Sequence, residues 1–269
     1  MGTGGESATV VVEDGVTPYY DEDGVTLYCA DCRDVLPTLG QVDHVITDPP
    51  YSEHVHSKQW QSGLSFEELK RRYPRSFHGA GKHDELGFPP VTAEQRTALA
   101  EWCAANVTRW ALMFCDLELA HLWRADIERA GFDYVRTCVW VKPDSAPQFT
   151  GDRPGAGAEA IAVAHRKGRK RWNGGGRRGV FEYGVNNYGK NLRAHPTAKP
   201  EALMSELVSL FTDVGEMICD PFAGSGTTLV AAKRLGRKAI GVEISERYCE
   251  VAVKRLRQRA LPLWGEVTA

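Results

Sequence analysis

The chain has 269 residues, of which 42% are hydrophobic and 25% charged, and this is the composition of an ordinary folded globule. The net charge of −2 gives no global attraction for nucleic acid, so any such partner would need a local basic patch. No apolar run approaches the ~20 residues of a membrane helix, and the N-terminus lacks the pattern of a secretory signal, so neither is expected.

The seven cysteines are an odd number, which favours reduced thiols in a cytoplasmic protein over a disulfide framework. Cys29 and Cys32 form a C-x-x-C pair, but the sequence has no second such pair, so no zinc or redox role is expected. His54 and His56 also lack Cys or carboxylate partners at ligand spacing. No metal site is predicted.

Residues 1–16 are rich in Gly, Ser and Thr and are expected to form a loose tail ahead of a single domain, residues 17–269. Residues 18–28 place two strand-like runs around an acidic turn closed by Gly24, which predicts a hairpin or a lead-in strand. Asp31 then follows a strand end. It is either a helix N-cap or a hydrogen-bonding partner for a ligand.

Residues 42–51 form a short apolar strand that ends in Asp48-Pro49-Pro50-Tyr51. The prolines forbid continuation as a helix or a central strand, so Asp48 and Tyr51 lie at the strand's carboxyl end. Open α/β sheets bind their ligands at that edge. The turn offers the Asp48 carboxylate, two proline carbonyls and an aromatic face.

This set suits an amino group on a flat heterocycle, because two acceptors can take both amine hydrogens while the ring stacks on Tyr51. The alternative is a surface Asp-Pro turn with no ligand. The polar segment 52–90 follows directly, and a connection of that length is usually a functional lid or a disordered loop. Its position favours a lid or an insertion that contacts the substrate.

The middle of the chain alternates between helices and strands. Thr92 and Gln95 have capping-box spacing, which predicts a helix that runs to about Asn106. Further elements are predicted as strands over 110–114, 132–141 and 158–164 and a helix over 116–130. Such alternation predicts a doubly wound sheet.

A basic stretch follows, with interleaved aromatic residues and glycines and no periodicity of a core element. Charge runs are often only a solvated face, but this one stands out in a near-neutral chain and is interpreted as a nucleic-acid contact. The candidate residues are Arg166, Lys167, Arg169, Lys170, Arg171, Arg177 and Arg178.

Two further motifs lie near the C-terminus. In residues 195–200, Thr197 is a candidate N-cap and Pro200 a first-turn residue of a helix that packs Leu203, Leu207 and Leu210 in the core. Residues 216–228 are predicted to form a strand, a tight glycine turn and a helix from about Thr227.

The glycine turn lets the backbone approach a ligand at a helix N-terminus. It lacks the lysine of a phosphate-binding P-loop and the spacing of G-x-G-x-x-G. The next strand, 238–242, leads into Glu243, an acidic residue where such folds bind a ribose hydroxyl. A nucleoside without pyrophosphate is indicated, and S-adenosylmethionine fits. Ser245 is expected to cap a last amphipathic helix that ends near Ala260.

These three motifs together resemble the DNA amino-methyltransferases that act on adenine N6 or cytosine N4. Residues 47–51 resemble the catalytic turn of that family, residues 220–228 its cofactor loop and residues 195–200 the segment that meets the methionine carboxylate. The catalytic turn comes first and the cofactor loop last, with the basic region between them. This is the permuted order of the beta class.

The resemblance implies an α/β, Rossmann-like fold with a mostly parallel seven-stranded sheet, one antiparallel strand and helices on both faces. It also implies S-adenosylmethionine as cofactor and a base flipped out of double-stranded DNA. The implied catalytic residues are Asp48, Pro49, Pro50 and Tyr51. The implied cofactor residues are Asp31, Thr197, Lys199, Asp220, Phe222, Ala223, Gly224, Ser225, Gly226, Thr227 and Glu243.

The resemblance also implies individual roles. Asp48 and the Pro49 carbonyl would hold the target amine, while Lys199 and Thr197 would contact the methionine carboxylate. A leading Asp is commoner in the adenine enzymes, so adenine N6 is expected and cytosine N4 is the alternative. Residues 166–194 would be a short target-recognition region, which has room for few base contacts. A short or relaxed recognition sequence is therefore expected, or help from residues 52–90.

Other functions remain as alternatives. A carbon-5 cytosine enzyme is not expected, because the chain has no Pro-Cys pair. Protein or RNA amino-methyltransferases share a similar turn but normally place the cofactor loop first. A DNA-binding protein without turnover is the non-enzyme alternative. A cognate restriction nuclease and a homodimer are candidate assemblies, and the resemblance implies a prokaryotic or phage-encoded protein.

Overall fold

The computed structural model describes residues 16–50, 91–145, 154–185 and 198–258. Within these ranges, nine strands form one sheet in the order β1-β2-β9-β8-β3-β4-β6-β5-β7. The strands are β1 (Tyr20–Glu22), β2 (Val25–Cys29), β3 (His44–Thr47), β4 (Trp110–Cys115), β5 (Asp133–Val141), β6 (Ala158–His165), β7 (Val180–Glu182), β8 (Met217–Asp220) and β9 (Lys238–Glu243). The α-helices are α1 (Cys32–Val35), α2 (Ala93–Asn106), α3 (Ala120–Arg129), α4 (Glu201–Phe211), α5 (Thr227–Arg234) and α6 (Glu246–Arg257).

Seven of these strands have the predicted arrangement. Strands β2, β9, β8, β3 and β4 are parallel neighbours, and β6 is antiparallel to both β4 and β5. The predicted count of seven is wrong, because the described part of the sheet carries an extra three-residue strand at each edge. At one edge β1 forms the expected hairpin with β2. At the other, β7 is too short to leave a periodic signal in the sequence.

Helices cover both faces of the sheet, as predicted. One face carries α4, α5 and α6, whose buried residues pack with Leu27, Ile46 and Phe114. The other carries α2 and α3, which pack with Val45 and Met113. Every residue of β4 is buried, and a strand that is covered on both faces needs the continuous apolar run found there.

Most predicted helices begin and end near the expected residues. The capping box of α2 is present, with the Gln95 amide N–H donating to Thr92 Oγ1 over 3.2 Å and Thr92 N–H donating to the Gln95 side chain over 2.9 Å. The helix predicted over 116–130 divides into the 3₁₀ turn Leu117–Leu119 and α3. Ser245 is the N-cap of α6, but its side chain makes no capping hydrogen bond.

The cap predicted for α4 is wrong. The helix starts at Glu201 with Pro200 as its N-cap, so its first turn begins later than a Thr197 cap would require. Proline suits this boundary because it has no N–H to be satisfied. The predictions for residues 1–15, 51–90, 186–197 and 259–260 lie outside the described residues. Among the helices that are described, none combines the length and apolar character that a membrane crossing requires.

Gly226 is the left-handed N-cap of α5, with φ +76°, and it lies against α6. A Cβ at this position would be 2.8 Å from the Cβ of Ala252. We expect Gly226→Ala to lower the free energy of unfolding by about 2–4 kcal/mol, through backbone strain plus overpacking. Urea denaturation measures this loss.

Gly175→Ala is the matched control. Gly175 also has a positive φ, +54°, but an added Cβ there meets no described atom within 4 Å. Only the backbone strain remains, which predicts a loss of about 1–2 kcal/mol. Equal losses in the two variants would contradict the steric contribution at Ala252.

Candidate active site

A cavity of about 250 Å³ opens at the carboxyl edge of the parallel strands. Its lining brings together most of the residues that the sequence nominated from three distant motifs, because parallel strands end at one edge of a sheet. These residues are Asp31, Asp48, Pro49, Pro50, Lys199, Asp220, Phe222, Ala223, Gly224, Ser225, Thr227 and Glu243. Gly226 adjoins the lining as the N-cap of α5, while Tyr51 and Thr197 lie outside the described residues.

The turns after β3 and β8 are joined by a buried hydrogen bond. Thr47 Oγ1 donates to Asp220 Oδ1 over 2.6 Å, and the Phe222 amide donates to the same oxygen over 3.1 Å. Burial raises the pKa of Asp220 to about 6, although hydrogen bonds from Thr228 and Thr47 oppose this shift. Thr47 was not identified from the sequence. Its only signal is a hydroxyl at the end of an apolar strand.

The glycine turn is held by Glu243 at the end of β9. Its carboxylate accepts the Gly224 amide N–H over 2.9 Å and the Ser245 amide N–H over 2.8 Å. Burial raises the pKa of Glu243. A Cβ built on Gly224, with φ +52°, meets no described atom within 4 Å, so the turn leaves open space on the cavity side. Gly224 and Glu243 both line the cavity, so this open space adjoins an acidic side chain.

Arg255, on α6, supports the same turn from behind. Its guanidinium donates to the Ser225 carbonyl over 2.7 Å and to the hydroxyls of Ser225 and Thr227, both over 3.0 Å. The two hydroxyls nominated for cofactor contact are therefore bound to the protein itself. Arg255 was missed because only its place on an amphipathic helix was visible in the sequence.

Lys199 is buried and its ammonium contacts the Asp48 carboxylate. It also lies 3.3 Å from Glu159 Oε2, and Lys142 forms an ion pair with the same glutamate. Burial lowers the pKa of Lys199, but the charges of Asp48 and Glu159 outweigh it and the net shift is upward. The ammonium expected at a cofactor carboxylate is thus found on the catalytic-turn aspartate.

The sequence left Asp31 as either a helix N-cap or a partner for a ligand. It is the N-cap of α1, accepting the Arg33 amide N–H over 2.9 Å, and it pairs with the Arg33 guanidinium at 2.6 Å. The hydrogen bonds from Arg33 lower its pKa. Asp31 also lines the cavity, so its capping role and its place at the ligand edge occur together. Ile244, missed by the sequence reasoning, lines the cavity near Asp31 although it is 64% exposed.

The basic stretch begins near the amino-terminal end of β4, at the end of the sheet opposite to the cavity. His165 is in register with Trp110, the first residue of β4, whereas the cavity lies beyond the other end of that strand. Six residues of strand separate these edges by about 17 Å. Arg166 donates to the carbonyls of Ala104 and Val107 over 3.4 and 3.0 Å, so its side chain anchors the stretch to α2.

After this stretch the chain forms β7, which lies beside the carboxyl end of β5, with Glu182 in register with Val141. This is the end of the sheet at which the cavity opens. Three of its cations form ion pairs within the protein: Lys170 with Asp133, Arg171 with Asp213, and Arg177 with Glu206. Lys167, Arg169 and Arg178 are exposed. DNA contact by all seven residues remains a prediction, and none of the seven is among the residues that line the cavity.

The two described residues that flank segment 51–90, Pro50 and Val91, meet beside the cavity. The Val91 amide donates to the Pro50 carbonyl over 3.3 Å, and Pro50 lines the cavity. The predicted lid itself lies outside the described residues. This hydrogen bond also occupies one of the carbonyls that the sequence offered as acceptors.

Asp220 gives a pH-dependent prediction. Because its folded-state pKa of about 6 exceeds the ordinary 3.8, the folded protein binds more protons than the unfolded chain between these values. Ionisation of Asp220 therefore lowers the free energy of unfolding as pH rises, and the penalty is full above about pH 6. Asp220→Asn removes this titration. Its stability relative to the parent should rise by on the order of 2 to 3 kcal/mol from acid to neutral pH.

Urea unfolding of both proteins across that pH range measures the difference. Comparing variant with parent cancels the opposite contribution of His44, whose pKa burial lowers. Asp34→Asn, at an exposed aspartate, is the matched control for exchanging a carboxylate for an amide outside the cavity. A flat difference for Asp220→Asn would contradict the raised pKa.

Comparison with known proteins shows the family to which this chain belongs. A Type II methyltransferase of Streptococcus pneumoniae, M2.DpnII, is 27% identical over 273 residues, covering 89% of this chain and 92% of that protein. The crystal structure of an M1.HpyAVI-SAM complex has a TM-score of 0.63 and 25% identity, covering 87% of this chain and all of that one.

The cytosine-N4-specific PvuII DNA methyltransferase has a TM-score of 0.69, covering 93% of this chain and 92% of that one. At 14% identity this likeness shows the fold alone. A family model described as DNA methylase matches residues 42–254, which include both turns of the cavity. Since that match spans well over half of the sequence, the chain belongs to the N6/N4 DNA methylase family.

Proposed function

We propose that this chain transfers a methyl group from S-adenosylmethionine to the exocyclic amine of a base in double-stranded DNA, and that the base is adenine. The proposal rests on one observation: the Asp48 turn and the open glycine turn at Gly224 line the same cavity. Membership of the DNA methylase family supports the reaction.

The cofactor half of the cavity fits a nucleoside. We assign the ribose to Glu243 and the flat base to the apolar walls provided by Phe222 and Ile244. Asp31 also lines the cavity, one residue after Ala30, whose amide donates to the Glu243 carbonyl over 3.1 Å, and Gly224 lets the backbone come close. The cofactor supplies an electrophilic methyl group on a sulfonium.

The amine half of the cavity is assigned to Asp48 and the Pro49 carbonyl. An exocyclic amine is a poor nucleophile because its lone pair is delocalised into the ring. Acceptors on its two hydrogens draw the nitrogen towards tetrahedral geometry and localise that pair. A carboxylate has several acceptor positions, so Asp48 can bind an amine hydrogen while Lys199 contacts its Oδ2 atom.

The target base must leave the duplex to reach this cavity, which costs a few kcal/mol. Stacking on one aromatic residue returns about 1–3 kcal/mol per base. We assign that stacking to Tyr51, on its motif position alone. Hydrogen bonds to the amine and contacts to phosphates supply the remainder.

The choice of adenine rests on the aspartate that leads the turn. Nucleosides from DNA methylated by this protein should contain N6-methyldeoxyadenosine when separated by chromatography and identified by mass spectrometry. DNA incubated without the protein is the control. N4-methyldeoxycytidine as the product would replace adenine by the cytosine alternative and leave the rest of the proposal intact.

Asp48→Ala should abolish methyl transfer and leave cofactor affinity within a few-fold of the parent, because Asp48 acts on the amine. Tritium transfer from labelled S-adenosylmethionine measures the first and calorimetry the second. Asp34→Ala, at an exposed aspartate, is the matched control and should keep full activity. Thermal melting checks that the variant still folds around Lys199. Full activity of Asp48→Ala would refute the assigned role.

A further inference from the structure

Four charged side chains form a chain that leads from the cavity across the carboxyl ends of the strands towards β5 and β6. The Lys199 ammonium contacts Asp48 and lies 3.3 Å from Glu159, and Glu159 also pairs with Lys142. These residues come from the turn after β3, the start of β6, the end of β5 and the segment before α4. The side chains of Lys199 and Glu159 are only 6% and 9% exposed.

Aromatic rings surround the two ammonium groups. Lys142 Nζ lies 4.7 Å from the centre of the Trp140 ring, and Lys199 Nζ lies 5.2 Å from Phe114 and 5.8 Å from Trp140. Both rings are buried. Ring faces attract cations and exclude water, so an unbalanced charge in this environment would be strongly unfavourable.

Within the described part of the protein, this chain contains two ammonium groups and two carboxylates, so its formal charges balance. A third acid, Asp116, follows β4 nearby, and its pKa is raised to about 6, first by burial and then by Glu159. Lysine has a flexible stem and a compact charge. A single carboxylate would therefore allow the Lys199 ammonium to adopt several positions. Glu159 supplies a second acceptor, and Lys142 holds Glu159 in turn.

We propose that Glu159 is a positioning residue for methyl transfer, which fixes the Lys199 ammonium against Asp48 and so aims the carboxylate at the target amine. Lys142 acts one step further back by orienting Glu159. This inference rests on the proposed function. It assigns Lys199 and its neighbours to the base side of the cavity and not to the cofactor.

Glu159→Gln tests the proposal, because it keeps the shape of the side chain and removes its charge. At saturating cofactor and DNA, the single-turnover rate should fall by about ten-fold or more, as for other residues that orient a catalytic group. The dissociation constant for S-adenosylmethionine should stay within about two-fold, because Glu159 acts on the chemical step. PCR-amplified genomic DNA is the substrate, and tritium transfer is the readout.

Three further variants test the charge balance. Glu159→Gln leaves two ammonium groups against one carboxylate, so adding Lys142→Met should recover part of the lost rate. Lys142→Met alone should lower the rate, and Lys142→Arg should keep it near that of the parent. A double variant with the product of the two single losses would overturn the proposal, since coupled groups are not additive.

Glu101→Gln, at an exposed glutamate on α2, is the matched control and should leave the rate unchanged. An inactive parent protein would refute the proposed function itself. An active parent with an equally active Glu159→Gln variant would refute only this inference. A weakened cofactor affinity with an unchanged rate would also overturn it, because Lys199 would then serve the cofactor. If Glu159→Gln melts before the assay temperature, Glu159→Asp and the Lys142 variants decide between these outcomes.

Discussion

The site depends on the adjacency of β3 and β8 in the sheet. These strands are parallel, with Val45 in register with Cys219, so the turns that follow them emerge side by side. The hydrogen bond from Thr47 to Asp220 then ties one turn to the other within the buried interior. A carboxylate buried at this depth is unfavourable when charged, and the hydrogen bonds that it accepts fix its geometry tightly. The separation of the two turns is therefore set by strand pairing and not by either motif alone.

A second support comes from the segment that enters α4. Lys199 contacts Asp48 in the turn after β3, while Glu201, two residues later, interacts with Arg255. Arg255 in turn holds the backbone and hydroxyl of Ser225 in the glycine turn. One short stretch of chain thus reaches both halves of the site through charged contacts. A shift of this stretch would therefore displace contacts of both Asp48 and the glycine turn.

The residues that the sequence nominated share one cavity because its motifs sit at strand ends. Asp48, Asp220 and Glu243 each follow an apolar run, and parallel strands place such residues at one edge regardless of their separation in the chain. Glu159 and Arg255 were invisible, because their roles come from side-chain pairings across the fold that no local spacing encodes. The basic stretch was located least well. Its starting edge depends on the antiparallel direction of β6, which the sequence of that strand does not specify.

The hydrogen bond between Val91 and Pro50 has a consequence for how this scaffold can vary. Forty residues of sequence separate Pro50 from Val91, yet the backbones of these two residues are hydrogen-bonded beside the cavity. Closing a chain of twice that length requires only about 0.6 kcal/mol more in entropy. A connection between two residues that are already paired can therefore differ in length at little cost to the strands beside it.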